Sequence, residues 1–169
     1  HVVDIAAAYA TFASRGLQVA PSYIKSITTG TGEILYKLNP KPVQAFSTDI
    51  ADTVNYALQK VVEVGTGKAA KALGRPVAGK TGTASRYNDI CGCYSGYTAS
   101  FIGFAPADAP RYVISVTIQD PKGMHWGGYL GGPVFKKVMS FVLESKHIPP
   151  TGTKIIPIAL TEKTLVKAR

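Results

Sequence analysis

Residues Lys80, Thr81, Gly82 and Thr83 place a cation, two hydroxyls and a glycine side by side in the segment VAGKTGTASRY, residues 77–87. The start of this segment predicts a strand, in which apolar and polar side chains would ordinarily alternate. Glycine weakens a strand interior and usually marks the close approach of a ligand or of another backbone. We therefore predict that this strand offers a docking edge to an anionic group.

Two other motifs suggest chemistry that their surroundings do not support. GTGKAA, residues 65–70, resembles a phosphate-binding loop, but the earlier glycine is missing and Ala69 replaces the hydroxyl that would contact magnesium. SYIK has the Ser-x-x-Lys spacing in which a lysine activates a nucleophilic serine. That geometry requires a helical turn, whereas Pro21 and its neighbours predict a strand, on which Ser22 and Lys25 point to opposite faces. We assign no site to either motif.

The two cysteines, Cys91 and Cys93, lie in the segment DICGCYSGY. They are too few for a zinc site, which normally takes four ligands, and the spacing to His125 does not favour recruiting a third. We interpret both as small loop residues; in an oxidising compartment, either could instead pair with a cysteine outside this chain. We predict no metal and no cofactor.

Charge and composition narrow the class of partner. The 169-residue chain carries 19 Lys and Arg against 10 Asp and Glu, a net charge of +9, which favours anionic partners. The basic residues are scattered, without the dense blocks or aromatic repeats of RNA-binding proteins, so we do not expect nucleic-acid binding. No apolar run approaches the roughly 18 residues of a membrane span, and no segment has the pattern of a signal peptide.

Hydrophobic periodicity predicts three helices. The first begins near Val2 and ends near Gly16, the second lies within residues 46–65 after Ser47 or Thr48, and Pro133 opens the third. No initiator methionine or capping residue precedes the first helix, so we expect the chain to be part of a longer protein. The residues predicted to face the core are Val2, Ile5, Tyr9 and Phe12, then Ile50, Val54, Leu58 and Val61, and then Val134, Val138, Phe141 and Val142.

Strand patterns lie between these helices. Residues 17–27 and 33–39 predict a hairpin, and residues 77–84, 98–105 and 111–119 predict consecutive antiparallel strands with residues 77–84 at the edge. A mobile loop of about twelve residues should join the first two of these strands and overhang one end of the site. The predicted fold class is α+β, an antiparallel sheet covered by helices. Residues 1–147 form its folded part, and residues 148–169 are predicted to be an extended tail.

Five segments of the chain together resemble one protein family. AAAYATFASRG, VAGKTGTA, YTASFIGFAPADAPRYVISVTIQDP, WGGYLGGPVFKKVMSFVL and IPPTGT resemble, in that order, the C-terminal half of a class B penicillin-binding protein transpeptidase domain. The resemblance is greatest to the cell-division type of actinobacteria and covers roughly residues 1–153. It implies the fold shared by penicillin-binding proteins and serine β-lactamases.

The resemblance implies a D,D-transpeptidase that cross-links peptidoglycan stem peptides through an acyl-serine intermediate and that also binds β-lactams. Lys80 matches the family lysine that borders the catalytic pocket, and Thr81 and Thr83 match hydroxyls near the substrate carboxylate. The Thr83 backbone N–H matches an oxyanion donor, which makes Lys80 and Thr83 the catalytic candidates. Gly82 is expected to leave room for the substrate backbone.

The family's Ser-x-x-Lys helix and Ser-x-Asn loop would lie upstream of His1, so this chain is predicted to be inactive alone. The resemblance implies further partners, namely the N-terminal half of the same domain and cell-division proteins, and a location on the extracytoplasmic face of the bacterial membrane. Three alternatives share the Lys-Thr-Gly strand and stay open: a serine β-lactamase, a D,D-carboxypeptidase and a non-catalytic β-lactam sensor.

Overall fold

Three helices and seven strands account for most of residues 1–71 and 74–150, the part of the chain that this computed structural model describes. The helices are α1 (Val2–Ala13), α2 (Thr48–Glu63) and α3 (Gly127–Ser145). The strands are β1 (Leu17–Gln18), β2 (Ser26–Thr28), β3 (Ile34–Lys37), β4 (Val43–Gln44), β5 (Ala78–Asn88), β6 (Cys93–Ala105) and β7 (Tyr112–Gln119). A short 3-10 helix, Lys68–Ala70, follows α2.

The main sheet consists of β5, β6 and β7 in that order, with both pairs antiparallel. Among the described residues no further strand pairs with β5, so β5 is an edge strand. The predicted antiparallel order and the predicted edge position are both confirmed. The fold is α+β, as the sequence predicted.

The segment between β5 and β6 is a two-stranded arm, and the predicted loop of about twelve residues is wrong. Strand pairing continues, past an irregularity between Ser85 and Tyr87, to the pair Asn88 and Cys93. The rings of Tyr87 and Tyr94 meet edge to face across the arm, with centroids 5.6 Å apart. Such cross-strand aromatic pairs stabilise antiparallel strands, and they extend this hairpin beyond the apolar pattern.

Cys91 and Cys93 form a disulfide with each other at the tip of this arm. The sequence was interpreted only as placing two small residues in a loop, with a cysteine outside the chain as an alternative partner; the structure pairs the two with each other instead. Gly92 between them has a φ of +61°, which glycine adopts without a steric penalty. This turn brings the two Cα atoms to 5.2 Å, within the range that a disulfide can span.

Helix α3 covers one face of the sheet with residues spaced four apart. Phe135, Met139 and Leu143 are fully buried in a core that includes Phe101 of β6. The sequence predicted a different stripe and a start at Pro133. Both were wrong: α3 begins at Gly127, Pro133 lies inside it, and the predicted Val134, Val138 and Phe141 are exposed.

The glycines at the start of α3 explain this difference. Gly131 lies so close to the sheet that a Cβ there would approach the Phe101 Cβ to 2.7 Å. Gly127, Gly128, Gly131 and Gly132 are all buried and continue the stripe of Phe135 toward the N-terminus of the helix. Glycine carries no hydrophobic signal, so apolar periodicity alone selected the wrong face.

Helices α1 and α2 lie on the other side of the sheet. Leu58 of α2 packs with Ala78 and Phe104 from the opposite sheet face, and Tyr9 of α1 packs against this cluster. Helix α1 thus lies in a different layer from α3, and Val2 and Ile5 at its start, which were predicted to face the core, are exposed. Val62, one turn after Leu58, belongs to the core under α3, so the end of α2 contributes to both cores.

A hydrogen-bonded ion pair joins the end of α1 to α2. The Arg15 guanidinium donates to both carboxylate oxygens of Asp52, at 3.1 and 2.6 Å. This hydrogen bond and the charge of Arg15 hold the pKa of Asp52 below its usual range. The pair therefore contributes to stability at neutral pH, and that contribution is lost as the pH falls through the folded-state pKa of Asp52. Helix α1 ends at Ala13, three residues before Gly16, the residue near which it was predicted to end.

The predicted hairpin is present as β2 and β3, and β1 pairs with β4. Ser22 and Lys25 precede β2 in an irregular segment rather than in the predicted strand, and they are not on a helix. Residues 148–150 of the predicted tail contain no helix or strand, and residues 151–169 lie outside the described residues.

Candidate active site

The register of the sheet determines where the backbone groups of β5 point. The Asp120 N–H donates to the Tyr97 carbonyl at 2.9 Å, so Tyr97 and every second residue after it on β6 direct their backbone groups toward β7. The intervening residues bond with β5, and among them Ser100 pairs with Gly82. The two residues that flank Gly82 therefore direct their N–H and C=O groups to the free edge of β5.

Those two residues are Thr81 and Thr83. Their side chains lie on the sheet face that α3 covers, whereas Lys80 lies on the opposite face. The Lys80 Nζ nevertheless donates to the Thr81 carbonyl at 2.7 Å, so the ammonium reaches the free edge from the other side. The structure thus brings one cation, two hydroxyls and the Thr83 N–H together around a single strand edge.

Hydrogen bonds orient both threonine hydroxyls. The Gly127 N–H, at the start of α3, donates to the Thr83 Oγ1 at 3.1 Å. The Thr81 Oγ1 lies 2.8 Å from the Thr66 Oγ1. The positive end of the α3 dipole therefore faces this group of hydroxyls, an arrangement that favours a bound anion.

The two threonines border an open cavity of about 330 Å³ between β5, the start of α3 and the residues that follow α2. No charged side chain is among the lining residues that the described part of the chain provides. The lining residues are Thr66, Ala69, Thr81, Thr83, Trp126, Gly127, Gly128 and Tyr129. An anion in this cavity would therefore meet hydroxyl donors and no competing carboxylate.

Close packing requires glycine at two positions around this cavity. A Cβ on Gly127 would overlap the backbone oxygens of Gly82 and Ser100, and a Cβ on Gly128 would overlap the Thr66 carbonyl. A Cβ on Gly82 would lie 2.5 Å from the Ser100 Oγ, so β6 also restricts the space beside Gly82. The glycines allow α3 to press its N-terminus against β5.

Six residues that line this cavity were not predicted from the sequence: Thr66, Ala69, Trp126, Gly127, Gly128 and Tyr129. Thr66 belongs to the GTG motif that was considered only as a phosphate loop. The Gly127–Gly128 pair was a possible signal, because adjacent glycines before an apolar helix indicate a close backbone approach. A helix start placed at Pro133 hid that signal.

The chain is similar to proteins of one family. A family model, the penicillin binding protein transpeptidase domain, matches residues 2–140. Penicillin-binding protein PbpB of Mycolicibacterium smegmatis is 35% identical over 170 residues, covering 94% of this chain and 26% of that protein.

Solved structures of penicillin-binding proteins are also similar to this chain. The D,D-transpeptidase domain of a peptidoglycan glycosyltransferase from Eggerthella lenta has a TM-score of 0.75 and 32% identity, over 88% of this chain and 33% of that chain. Penicillin-binding protein 3 of Mycobacterium tuberculosis, complexed with ampicillin, has a TM-score of 0.79 and 29% identity, over 95% of this chain and 38% of that chain.

The chain therefore belongs to the penicillin-binding protein transpeptidase domain family. This confirms the resemblance that its sequence segments indicated, and the likeness to actinobacterial proteins agrees with the PbpB relatives from mycobacteria. The chain spans about a quarter of the length of the curated relatives it matches.

Proposed function

We propose that this chain supplies the Lys-Thr-Gly strand of a serine-type peptidoglycan D,D-transpeptidase. The observation that carries this proposal is the free edge of β5, where the backbone groups of Thr81 and Thr83 and the Lys80 ammonium lie together. An extended stem peptide can pair with such an edge as an added strand. Membership in the transpeptidase domain family supports the same activity.

The proposed reaction has two acyl-transfer steps. A serine elsewhere in the complete domain attacks the carbonyl of the penultimate D-Ala, the C–N bond to the terminal D-Ala breaks, and that D-Ala leaves with the proton on its amine. The amine of a second stem peptide then attacks the acyl-serine ester. This step forms the cross-linking peptide bond and returns the proton to the serine oxygen.

Each residue of the strand has a separate proposed role. The edge N–H of Thr83 donates to the oxyanion of the tetrahedral intermediate, a contact that is typically worth about 3 kcal/mol. The Lys80 ammonium stabilises negative charge near the proton-transfer groups. The Thr81 and Thr83 hydroxyls bind the substrate carboxylate, at the positive end of α3.

β-Lactams are proposed to acylate the same serine, because they present a carboxylate and a reactive amide to the same edge. The similar penicillin-binding protein 3 complexed with ampicillin supports this part of the proposal. Ser22 is not the proposed nucleophile, since it lies outside any helix and its Oγ donates to the Ile24 carbonyl at 3.2 Å.

The proposed location is the extracytoplasmic face of the bacterial membrane, with cell-division proteins as further partners of the complete protein. The Cys91–Cys93 disulfide supports this location, because disulfides persist in oxidising compartments. Within the described residues no helix is long and apolar enough to cross a membrane.

A cross-linking assay tests the proposal. The complete protein is supplied with a stem pentapeptide donor and a second peptide carrying a free amine, and mass spectrometry measures the products. We expect release of D-Ala together with a peptide dimer. Release of D-Ala without dimer indicates a D,D-carboxypeptidase, rapid hydrolysis of penicillin indicates a β-lactamase, and acylation without either product indicates a sensor.

A further inference from the structure

We infer that Thr66 is a positioning residue that directs the Thr81 hydroxyl toward the carboxylate of the substrate or of a β-lactam. The inference rests on the proposed function and names an additional residue for it. Thr66 follows α2 and is 15 residues away from Thr81 in sequence, yet their Oγ1 atoms lie 2.8 Å apart. Both side chains line the same cavity.

The backbone on both sides of Thr66 is held in place by the end of α2. The Gly65 N–H donates to the Lys60 carbonyl at 3.1 Å, and the Gly67 N–H donates to the Val61 carbonyl at 2.9 Å. The Lys60 carbonyl also accepts the Val64 N–H at 3.0 Å, so these bonds together close the end of α2. Thr66 thus stands between two anchored residues, which presents its side chain to β5 in a constant position.

The helix α3 closes the space on another side of Thr66. Gly128 packs so closely against the Thr66 carbonyl that a Cβ on Gly128 would overlap it, and this Cβ would lie 2.9 Å from the Thr81 Cγ2. The Thr66–Thr81 pair therefore lies between the end of α2, the start of α3 and β5, with Thr66 exposed toward the open cavity. The contact between the two hydroxyls joins the segment after α2 to β5 at the border of the cavity.

The contact between the two hydroxyls leaves one hydroxyl proton that can be donated to a carboxylate. Two hydroxyls in mutual contact use one proton for the bond between them and leave one proton for a third group. An ionised carboxylate only accepts hydrogen bonds. When a carboxylate binds next to Thr81, the Thr81 hydroxyl therefore donates its proton to the carboxylate. The Thr66 hydroxyl then donates to the Thr81 Oγ1.

Thr83 supplies the second donor in the same way. Its Oγ1 accepts the Gly127 N–H, so the hydroxyl proton of Thr83 is also available to a ligand. Thr81 and Thr83 lie two residues apart on one face of β5, and each therefore offers one proton to one end of a carboxylate. The Thr66 hydroxyl thus donates to the Thr81 Oγ1, just as the backbone N–H of Gly127 donates to the Thr83 Oγ1.

The test uses the complete protein and compares acylation by a penicillin with acylation by its methyl ester, which lacks the charged carboxylate. Thr66→Val keeps the side-chain shape and removes the hydroxyl, whereas Thr66→Ser keeps the hydroxyl. For Thr66→Val we expect the rate with the acid to fall about tenfold while the rate with the ester changes by less than about twofold. Thr66→Ser should restore the rate with the acid.

A double-mutant cycle tests whether Thr66 acts through Thr81. In the Thr81→Val background, Thr66→Val should cause little further loss, because the hydroxyl it orients is already absent. Thr53→Val, which removes a hydroxyl on an exposed part of α2, is the matched control and should leave both rates unchanged. If Thr66→Val does not fold, Thr66→Ala takes its place in both experiments.

Two results would overturn the inference. The first is a folded Thr66 variant whose acylation rates with the penicillin and with its methyl ester fall equally, because this indicates a structural role. The second is a double mutant in which the losses of acylation rate from Thr66→Val and Thr81→Val are fully additive. A wild-type protein that no penicillin acylates would instead count against the proposed function. The two failures are therefore distinguishable.

Discussion

The Lys80 side chain extends to the candidate site from the opposite face of the sheet. Alternation along β5 places its side chain on the face opposite Thr81 and Thr83, and only the hydrogen bond from its Nζ to the Thr81 carbonyl brings the charge to the edge. The charge is on an exposed side chain, so it contributes little to folding. Its proposed contribution is to the transition state of acylation.

We predict that Lys80→Ala in the complete protein lowers the rate of acylation by penicillin on the order of 100-fold, because a preorganised charge near the reacting groups is lost. Stopped-flow or quenched-flow acylation assays measure this rate. Lys68→Ala, which removes an exposed lysine from the neighbouring 3-10 helix, is the control and should retain wild-type acylation. Normal acylation of a folded Lys80→Ala protein contradicts the role of Lys80.

Strand β5 and helix α3 together form the candidate site. Edge strands tolerate proline where the missing N–H would have pointed away from the sheet. By the register of the sheet, the Thr83 N–H points away from β6 to the free edge. The N–H of its neighbour Ala84 points toward β6, where Ala84 pairs with Thr98. The two adjacent positions therefore form a matched pair for substitution.

We predict that Thr83→Pro leaves the sheet folded and removes the oxyanion donor, whereas Ala84→Pro disrupts the ladder with β6. Acylation by penicillin should fall roughly 100-fold or more in Thr83→Pro, with near-native thermal unfolding. Thr83→Val is included because it lacks the hydroxyl but keeps the N–H, so it separates the two contributions. Equal destabilisation by both prolines would show that the backbone direction assigned to Thr83 is wrong.

The start of α3 depends on glycine, because helix and strand backbones meet there without a side chain between them. We predict that Gly127→Ala destabilises the fold by about 1–3 kcal/mol, since its Cβ would overlap the backbone oxygens of Gly82 and Ser100. Denaturant unfolding measures the change. Gly30→Ala is the control, because a Cβ at Gly30 would meet no atom within 4 Å. A Gly127→Ala protein as stable as the Gly30→Ala protein would argue against this contact.

Acylation requires an activated nucleophile, which none of the described residues of the candidate site provides. The single Ser-x-x-Lys match, Ser22, lies in an irregular exposed segment instead of on a helix that would place Lys25 beside it. Oxyanion and binding contacts alone do not form a covalent intermediate. The upstream part of the family's transpeptidase domain is therefore proposed to complete the site.

We predict that the 169-residue chain forms no covalent adduct with a fluorescent penicillin, whereas the chain extended by the upstream part of the domain does. Intact-mass spectrometry after incubation distinguishes the two, and a non-fluorescent penicillin added first should prevent labelling of the longer protein. A stoichiometric adduct on the 169-residue chain, mapped to Ser22, would mean that the active site has been placed wrongly.

The sequence was sufficient to predict the central parts of the three main strands and their antiparallel order, and it singled out the Lys80–Thr83 segment as the candidate site, because alternation and residue type are local properties of a chain. Tertiary structure alone decided the buried face of α3, since Gly127 and Gly131 carry no hydrophobic signal and are selected by contact with the sheet. It likewise joined Cys91 to Cys93 through the turn at Gly92. It also brought Thr66 to Thr81, because a contact between two hydroxyls distant in sequence leaves no periodic pattern and arises only when α2, β5 and α3 pack together.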